Sequence, residues 1–195
     1  MPNPRAGRQM RYIPAKIQHR DDGGEPVIAC YFAVFNSPTE LWPGCIEQIA
    51  PGAFSSSLGG DVRALVDHET RLVLGRTTAG TLTLREDESG LYGEIKINPN
   101  DSDAMNLYAR VQRGDVSQCS FGFEIVSEDY IVGSDGQTCT WTIHDLILYE
   151  VSVVTFPAYE VTSAYARDAG DMASLRTARL NRRRQELLER INKLC

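Results

Sequence analysis

No apolar run in the chain approaches the roughly 20 residues that would cross a bilayer as a helix. The N-terminus, Met1-Pro2-Asn3-Pro4-Arg5, lacks the apolar core of a secretory signal. Neither a membrane partner nor an export route is therefore expected. The five cysteines (Cys30, Cys45, Cys119, Cys139, Cys195) are odd in number and include no C-x-x-C pair. That pattern leads us to expect free thiols in a reducing compartment, not a disulfide framework or a cysteine-based zinc site. Equally absent are G-x-S-x-G, a Walker loop, H-E-x-x-H and G-x-G-x-x-G, so nucleotide, dinucleotide and zinc-protease chemistry have no motif to rest on. Histidine is scarce, with His19, His68 and His144 the complete set, and candidate general bases are correspondingly few. There is no internal repeat.

The 195 residues suffice for one cored domain with appendages, and the composition is that of an ordinary globular protein. Charge is placed unevenly. Residues 171–195 hold seven Arg or Lys against three acids, so within a chain of net charge −6 residues 1–170 carry −10. An acidic body argues against duplex nucleic acid as the partner, while a basic tail could meet an anionic one.

Read in order, residues 1–11 look like a flexible leader rich in Pro and Arg. Tyr12 to Ile17 alternates like a strand, Arg20 to Pro26 reads as a turn, and Val27 to Phe35 is a continuous apolar run typical of a buried strand. Cys45 to Ile49 is a further strand, and Pro51 to Leu58, with Ser55-Ser56-Ser57, predicts a turn entering one short helix. Asp61 to Val66, Leu72 to Arg76, Gly80 to Leu84 and Leu91 to Ile97 follow as strands, the last three suggesting a meander. Asp101 or Ser102 can cap a helix that Gly114 ends. Strands are then expected from Ser117 to Val126, Asp129 to Val132, Thr138 to Ile143 and Leu146 to Thr155. Beyond Gly170, Leu180, Leu187, Ile191 and Leu194 fit a basic amphipathic helix. The predicted organisation is a leader (1–11), a β-rich body with attached helices (12–167) and a C-terminal helix (168–195).

Within Gln118–Phe123, alternation puts Cys119, Phe121 and Phe123 on one apolar face and Gln118, Ser120 and Gly122 on the other. Ser120 then projects away from the aromatics beside a glycine over which a substrate backbone could approach. A strand serine can simply face solvent. It becomes a nucleophile only beside a base, and that base needs a third group to orient it. Cys119 points into the aromatic face and reads as packing. His19 lies near a turn and reads as solvent-exposed. His144, beside Asp145, can be a polar strand-end residue. His68 closes the row Val62, Ala64, Val66 and is flanked by Asp67 and Glu69. Glu150 shares a row with Leu146, Leu148, Ser152 and Val154, where a carboxylate needs a partner. An Arg or a backbone donor would serve, and so would an imidazole whose tautomer it fixes.

Six pieces in this order resemble the prohead serine proteases of tailed phages (caudovirus prohead proteases). They are Tyr31-Phe32-Ala33-Val34-Phe35-Asn36, Ile49-Ala50-Pro51-Gly52-Ala53-Phe54, Asp67-His68-Glu69, Leu74-Gly75-Arg76, Ser120-Phe121-Gly122-Phe123 and Leu148 to Ala158 with its Glu150-Val151-Ser152. The resemblance runs from about Val27 to Tyr165. It implies a fold similar to the herpesvirus assembly proteases (assemblins): mainly β with helices (α+β), a β-barrel surrounded by helices, here with the C-terminal amphipathic helix added. It further implies Ser120 as nucleophile and His68 as general base, with backbone N–H groups, and an Arg as a further candidate, holding the oxyanion. Glu150 is the implied third member because it matches the Glu-Val-Ser motif, with His144 the alternative. No metal or organic cofactor is implied. The implied activity is a serine endopeptidase that cleaves the major capsid protein's scaffolding segment, and itself, inside the procapsid in the host cytoplasm; self-association is compatible. The alternative is a non-catalytic capsid-assembly or scaffold protein keeping the protease fold, against which the retention of Ser120, His68 and Glu150 together argues. An unrelated β-barrel binding module would leave His68 and Ser120 far apart.

Overall fold

The computed structural model describes residues 5, 7–14, 17–22 and 25–156. The predicted C-terminal helix lies outside the described residues. In chain order the strands are β1 (Arg8–Pro14), β2 (Gln18–Asp22), β3 (Glu25–Val34), β4 (Thr39–Trp42), β5 (Cys45–Ile49), β6 (Arg63–Val66), β7 (Glu69–Arg76), β8 (Leu82–Glu86) and β9 (Gly90–Lys96). They are followed by the helix α1 (Ser102–Arg113), β10 (Gln118–Val132) and β11 (Cys139–Val154). The fold is mainly β with a minor helical part.

A seven-stranded sheet runs β1-β10-β11-β5-β4, and β6 joins it on β11 with β7 beyond. β11 is long enough to serve two neighbours. Its first residues, Cys139–Ile143, lie parallel to β5, and Glu150–Val153 lie parallel to β6. The second sheet runs β2-β3-β9-β8, all antiparallel. Neither sheet closes on itself among the described residues, so the expected barrel is replaced by two open sheets. Among the described residues, the helices expected around it reduce to α1 and a 3₁₀ turn at Thr77–Ala79.

The core fills the space between the sheets. Ile28, Cys30 and Phe32 of β3, Leu91 and Ile95 of β9, Cys119, Phe121 and Phe123 of β10, and Val151 and Val153 of β11 are all buried there. The rings of Phe35, Phe54, Phe121 and Phe123 form a chain with successive centroids 6.2, 5.5 and 4.9 Å apart. α1 covers one flank with Ala104, Leu107, Tyr108 and Val111. The Asp101 carboxylate accepts from the Asp103 and Ala104 N–H groups at its start, and Gly114 ends it at φ 82°, a left-handed cap open to glycine.

Several sequence expectations change for physical reasons. β1 starts at Arg8, inside the segment expected as a leader, because pairing with β10 satisfies its backbone. Residues 51–60 form successive turns with Ala53, Ser55, Ser57 and Gly60 N–H groups bonding three residues back, not a helix. The serine side chains compete for that role: Ser56 Oγ donates to Asp145 and Ser57 Oγ to the Leu146 carbonyl. The expected meander is split, since β7 pairs with β6 in the first sheet while β8 and β9 belong to the second. The strands expected at 129–132 and 138–143 are the far ends of β10 and β11, one continuous hairpin. Cys45 and Cys139 form a disulfide, contrary to the expectation of free thiols throughout. Their lateral pairing on β5 and β11, 94 residues apart in sequence, is invisible in the spacing of cysteines. Cys30 and Cys119 are free thiols, buried with their sulfurs 3.0 Å apart. Burial, with Cys30 alongside, pushes the Cys119 thiol well above its ordinary range, so it stays protonated packing material.

Phe121 contacts two other rings of the aromatic chain with no exposed surface. Phe121→Ala is expected to cost about 3–5 kcal/mol, read as a lowered denaturant midpoint at constant slope.

Candidate active site

The antiparallel registers of β1, β10 and β11 build one row of side chains on the sheet face opposite the core. Ser120 stands opposite Tyr12 on one side and Ser152 on the other, and Gly122 stands between Met10 and Glu150. A β-bulge shapes this row. Gly122 pairs with Glu150 but Phe123 pairs with Leu148, leaving Tyr149 as the extra residue. The bulge reverses which side chains face inward. Leu146 and Leu148 join the core, and so do Val151 and Val153, while Glu150 and Ser152 turn to the face of Ser120. The expected apolar row containing Glu150 is thus broken between Leu148 and Glu150.

His68 arrives by a turn, not by strand alternation. Asp67 and His68 are the two central residues of the hairpin joining β6 and β7, with φ of 47° and 61°, and Val66 pairs with Glu69 across them. That is the primed two-residue turn that suits the twist of flanking strands. Two non-glycine residues at positive φ are unusual and cost energy that the surroundings must offset. Asp67 supplies part of the offset by accepting from the Thr155 N–H at 2.8 Å and the Thr155 hydroxyl at 3.1 Å.

The turn brings the imidazole onto Glu150. His68 Nδ1 lies 2.6 Å from Glu150 Oε1, and the Ser152 hydroxyl donates to Glu150 Oε2 at 2.7 Å. The His68 backbone N–H donates to Ser152 Oγ at 3.3 Å. Arg8 Nη2 stands 3.7 Å from the same carboxylate. With Glu150 ionised, the imidazole proton belongs on Nδ1, and Nε2 keeps its lone pair. The ring touches both cross-strand neighbours of Ser120: it lies edge-on to Tyr12 at 5.4 Å between centroids, and Nδ1 is 3.4 Å from Ser152 Oγ. Burial, then Glu150 and Asp67, push the Tyr12 phenol above its ordinary range and keep it neutral.

Glu150, Ser120 and Ser152 are each at most 1% exposed. The Ser120 hydroxyl donates to the Arg11 backbone carbonyl at 2.8 Å. Among the described residues, the buried His68 Nε2 has no hydrogen-bond partner. Gly122 does not leave room for a substrate backbone, as its position beside Ser120 suggested. The Glu150 carboxylate occupies that space, and a Cβ at Gly122 would overlap Oε1.

His144 lies elsewhere. Its Nε2 pairs with Asp129 Oδ2 at 2.9 Å on the exposed part of the β10–β11 hairpin. His19 is exposed on β2, its ring against Tyr108. No sequence pattern by itself points to a role for Ser152, Tyr12, Arg8 or Asp67 at this site. Ser152 comes nearest, because Glu150-Val151-Ser152 puts two polar side chains on one strand face. Tyr12 and Arg8 depend on the β1 register, which no local pattern records.

Ser120 and Glu150 share one sheet face and the His68 ring lies against it, the imidazole and carboxylate in direct contact; these are residue types used in acyl transfer. The fold is like that of the bacteriophage T4 capsid assembly protease, gp21, with a TM-score of 0.51 at 8% identity, covering 77% of this chain and 98% of that one. Residues 14–174 match the family described as Caudovirus prohead serine protease. The chain is also 31% identical over 172 residues to the prohead protease of Enterobacteria phage HK97, spanning 86% of this chain and 72% of that protein. The chain belongs to the caudovirus prohead serine protease family.

Gly122→Ala is expected to displace the Glu150 carboxylate from His68. Nitrogen NMR of the imidazole should then lose the Nδ1–H tautomer in favour of a mixture. A spectrum unchanged from wild type would show that the carboxylate does not need the glycine.

Proposed function

We propose that the chain is a serine endopeptidase of procapsid maturation in which Ser120 is the nucleophile, His68 the general base and Glu150 the residue that orients it. The observation that carries this reading is the 2.6 Å contact between His68 Nδ1 and the buried Glu150 carboxylate, on a ring that touches both cross-strand neighbours of Ser120 and whose Nε2 has no partner among the described residues. In the first step His68 Nε2 takes the Ser120 proton as Oγ attacks a peptide carbonyl. The resulting oxyanion is held by backbone N–H groups. The imidazolium, stabilised by Glu150, then protonates the leaving amine as the C–N bond breaks. Water, deprotonated by the same Nε2, attacks the ester carbonyl, and the imidazolium returns the proton to Ser120 Oγ as the ester C–O bond breaks. Ser152 supports the arrangement by donating to Glu150 and accepting from the His68 backbone.

The substrates proposed are the scaffolding segment of the major capsid protein and the protease itself, cut inside the procapsid in the host cytoplasm. The relatives support this: one is a prohead protease and the structural neighbour a capsid assembly protease. The basic segment 168–195 is proposed as the part that docks on scaffold, on the strength of its charge against an acidic body.

Co-expression with the capsid protein, followed by mass spectrometry of the products, tests the reading. Ser120→Ala should lower kcat about a million-fold and abolish processing while the fold persists. Persistent cleavage at the same bonds would remove Ser120 from the mechanism. Glu150→Gln should lower kcat by about 10⁴, the loss expected when the orienting carboxylate is neutralised, whereas His144→Ala should change it little. The reverse order would transfer the third role to His144.

A further inference from the structure

The proposed nucleophile is covered, and what covers it has the form of a substrate. β1 lies antiparallel along residues 118–124 of β10 and forms the outer edge of its sheet. From this strand the Arg11 carbonyl receives the Ser120 hydroxyl at 2.8 Å. A protease nucleophile meets a peptide carbonyl in an extended chain, and adding a strand to a sheet edge is a common way to hold one. The side chain of the same residue is held separately. Arg11 Nη2 donates to Glu47 Oε2 at 2.7 Å and Nε donates to Oε1, a two-pronged pairing with a carboxylate 2% exposed. Burial alone would raise the Glu47 carboxyl, but Arg11 and Arg5 outweigh it and hold it below its ordinary range. A cleft beside the pair is lined by Val34, Thr39, Gln48 and Phe121.

β1 buries little apolar surface, with Ile13 its residue packed against the core. No side chain described from Gly7 to Ile13 is fully buried, whereas Cys119–Phe123 beneath it are. Its charged contacts hold it in place: Arg11 with Glu47, Arg8 near Glu150, and Arg8 over the Tyr149 ring at 5.3 Å. Elements with few buried apolar contacts open at the low end of the stability scale.

We infer that the β10 edge now paired with β1 is the substrate-binding edge, and that Glu47 selects Arg or Lys as the residue whose carbonyl faces Ser120. β1 then occupies the site in cis as a competitor of the peptide. This inference rests on the serine-protease reading above and names the substrate class of that site.

Two readouts separate the two claims. The first is binding to the full chain carrying Ser120→Ala and Arg11→Ala, which removes turnover and loosens β1. A fluorescent peptide with the sequence of residues 5–16 should bind at least tenfold tighter than the same peptide with Glu in place of its Arg11. Adding Glu47→Gln should bring the two affinities within about twofold. Equal affinities with Glu47 intact, or no binding of either peptide, would overturn the inference. The second readout is cleavage of a mixed peptide library by the wild-type chain, with the cut bonds mapped by mass spectrometry. Cuts after Arg and Lys, lost selectively in Glu47→Gln, support the inference. Cuts made by Ser120 with no basic preference would overturn it and leave the protease reading standing. Selective binding without any Ser120-dependent cut would support the edge and overturn the protease reading.

Discussion

Glu150 is an acid with 1% of its surface exposed, and a carboxylate so placed destabilises a fold by several kcal/mol unless its oxygens are matched. Its partners come from four places in the chain. His68 is on a turn, Ser152 on the same strand, Arg8 on the edge strand, and Gly122 contributes only the absence of a side chain. Each of these can reach it only if the others are in register. The bulge at Tyr149 has to turn Glu150 away from the core, and β6 has to lie parallel to Glu150–Val153 so that its hairpin ends above Ser152. The carboxylate therefore ties the sheet registers to the chemistry of the site.

The turn carrying His68 shows the energetic side of this dependence. Positive φ at Asp67 and His68 costs of order 1 kcal/mol or more per residue, and a glycine or asparagine pair would avoid most of it. The carboxylate of Asp67 is spent on the Thr155 backbone, which locks the end of β11 to the turn. The imidazole is spent on Glu150. Local strain is thus accepted where two side chains of this turn each fix a neighbouring segment, and the result is an imidazole held by contacts at its Nδ1 side and its own backbone N–H. Contacts of this kind lower the rotational freedom of the ring before anything binds.

Much of the fold was readable because its signals are local. The buried run of β3, the Asp101 cap and Gly114 stop of α1, and the alternation of Cys119, Phe121 and Phe123 each follow from a few adjacent residues. What escaped the sequence depends on partners far along the chain. The Cys45–Cys139 disulfide, the joining of β6 to β11 and the reversal of Glu150 by a bulge are facts of strand pairing, and alternation counted through Tyr149 gives the wrong face. Ser120, His68 and Glu150 were singled out by residue type and by resemblance to the prohead proteases. The placing of His68 by extended alternation was a different matter, since the strand ends at Val66 and a turn delivers the ring.

On the serine-protease reading the Ser120 hydroxyl has one proton to donate and two acceptors for it, the Arg11 carbonyl and His68 Nε2. In the closed arrangement it goes to the Arg11 carbonyl, and the buried His68 Nε2 is left without a partner among the described residues. An unsatisfied buried acceptor costs about 1–3 kcal/mol, which is a standing bias toward any arrangement in which the hydroxyl turns to the ring. β1 opposes that bias with its backbone ladder and its arginine contacts to Glu47 and Glu150. On that reading a substrate strand refilling the edge presents its own carbonyl carbon to Ser120 Oγ, and the hydroxyl proton passes to His68 Nε2 as the bond forms. By the same reading the strand that shields the serine also holds its proton away from the proposed base, and its departure takes the Tyr12 ring from His68 and Arg8 from Glu150 as well.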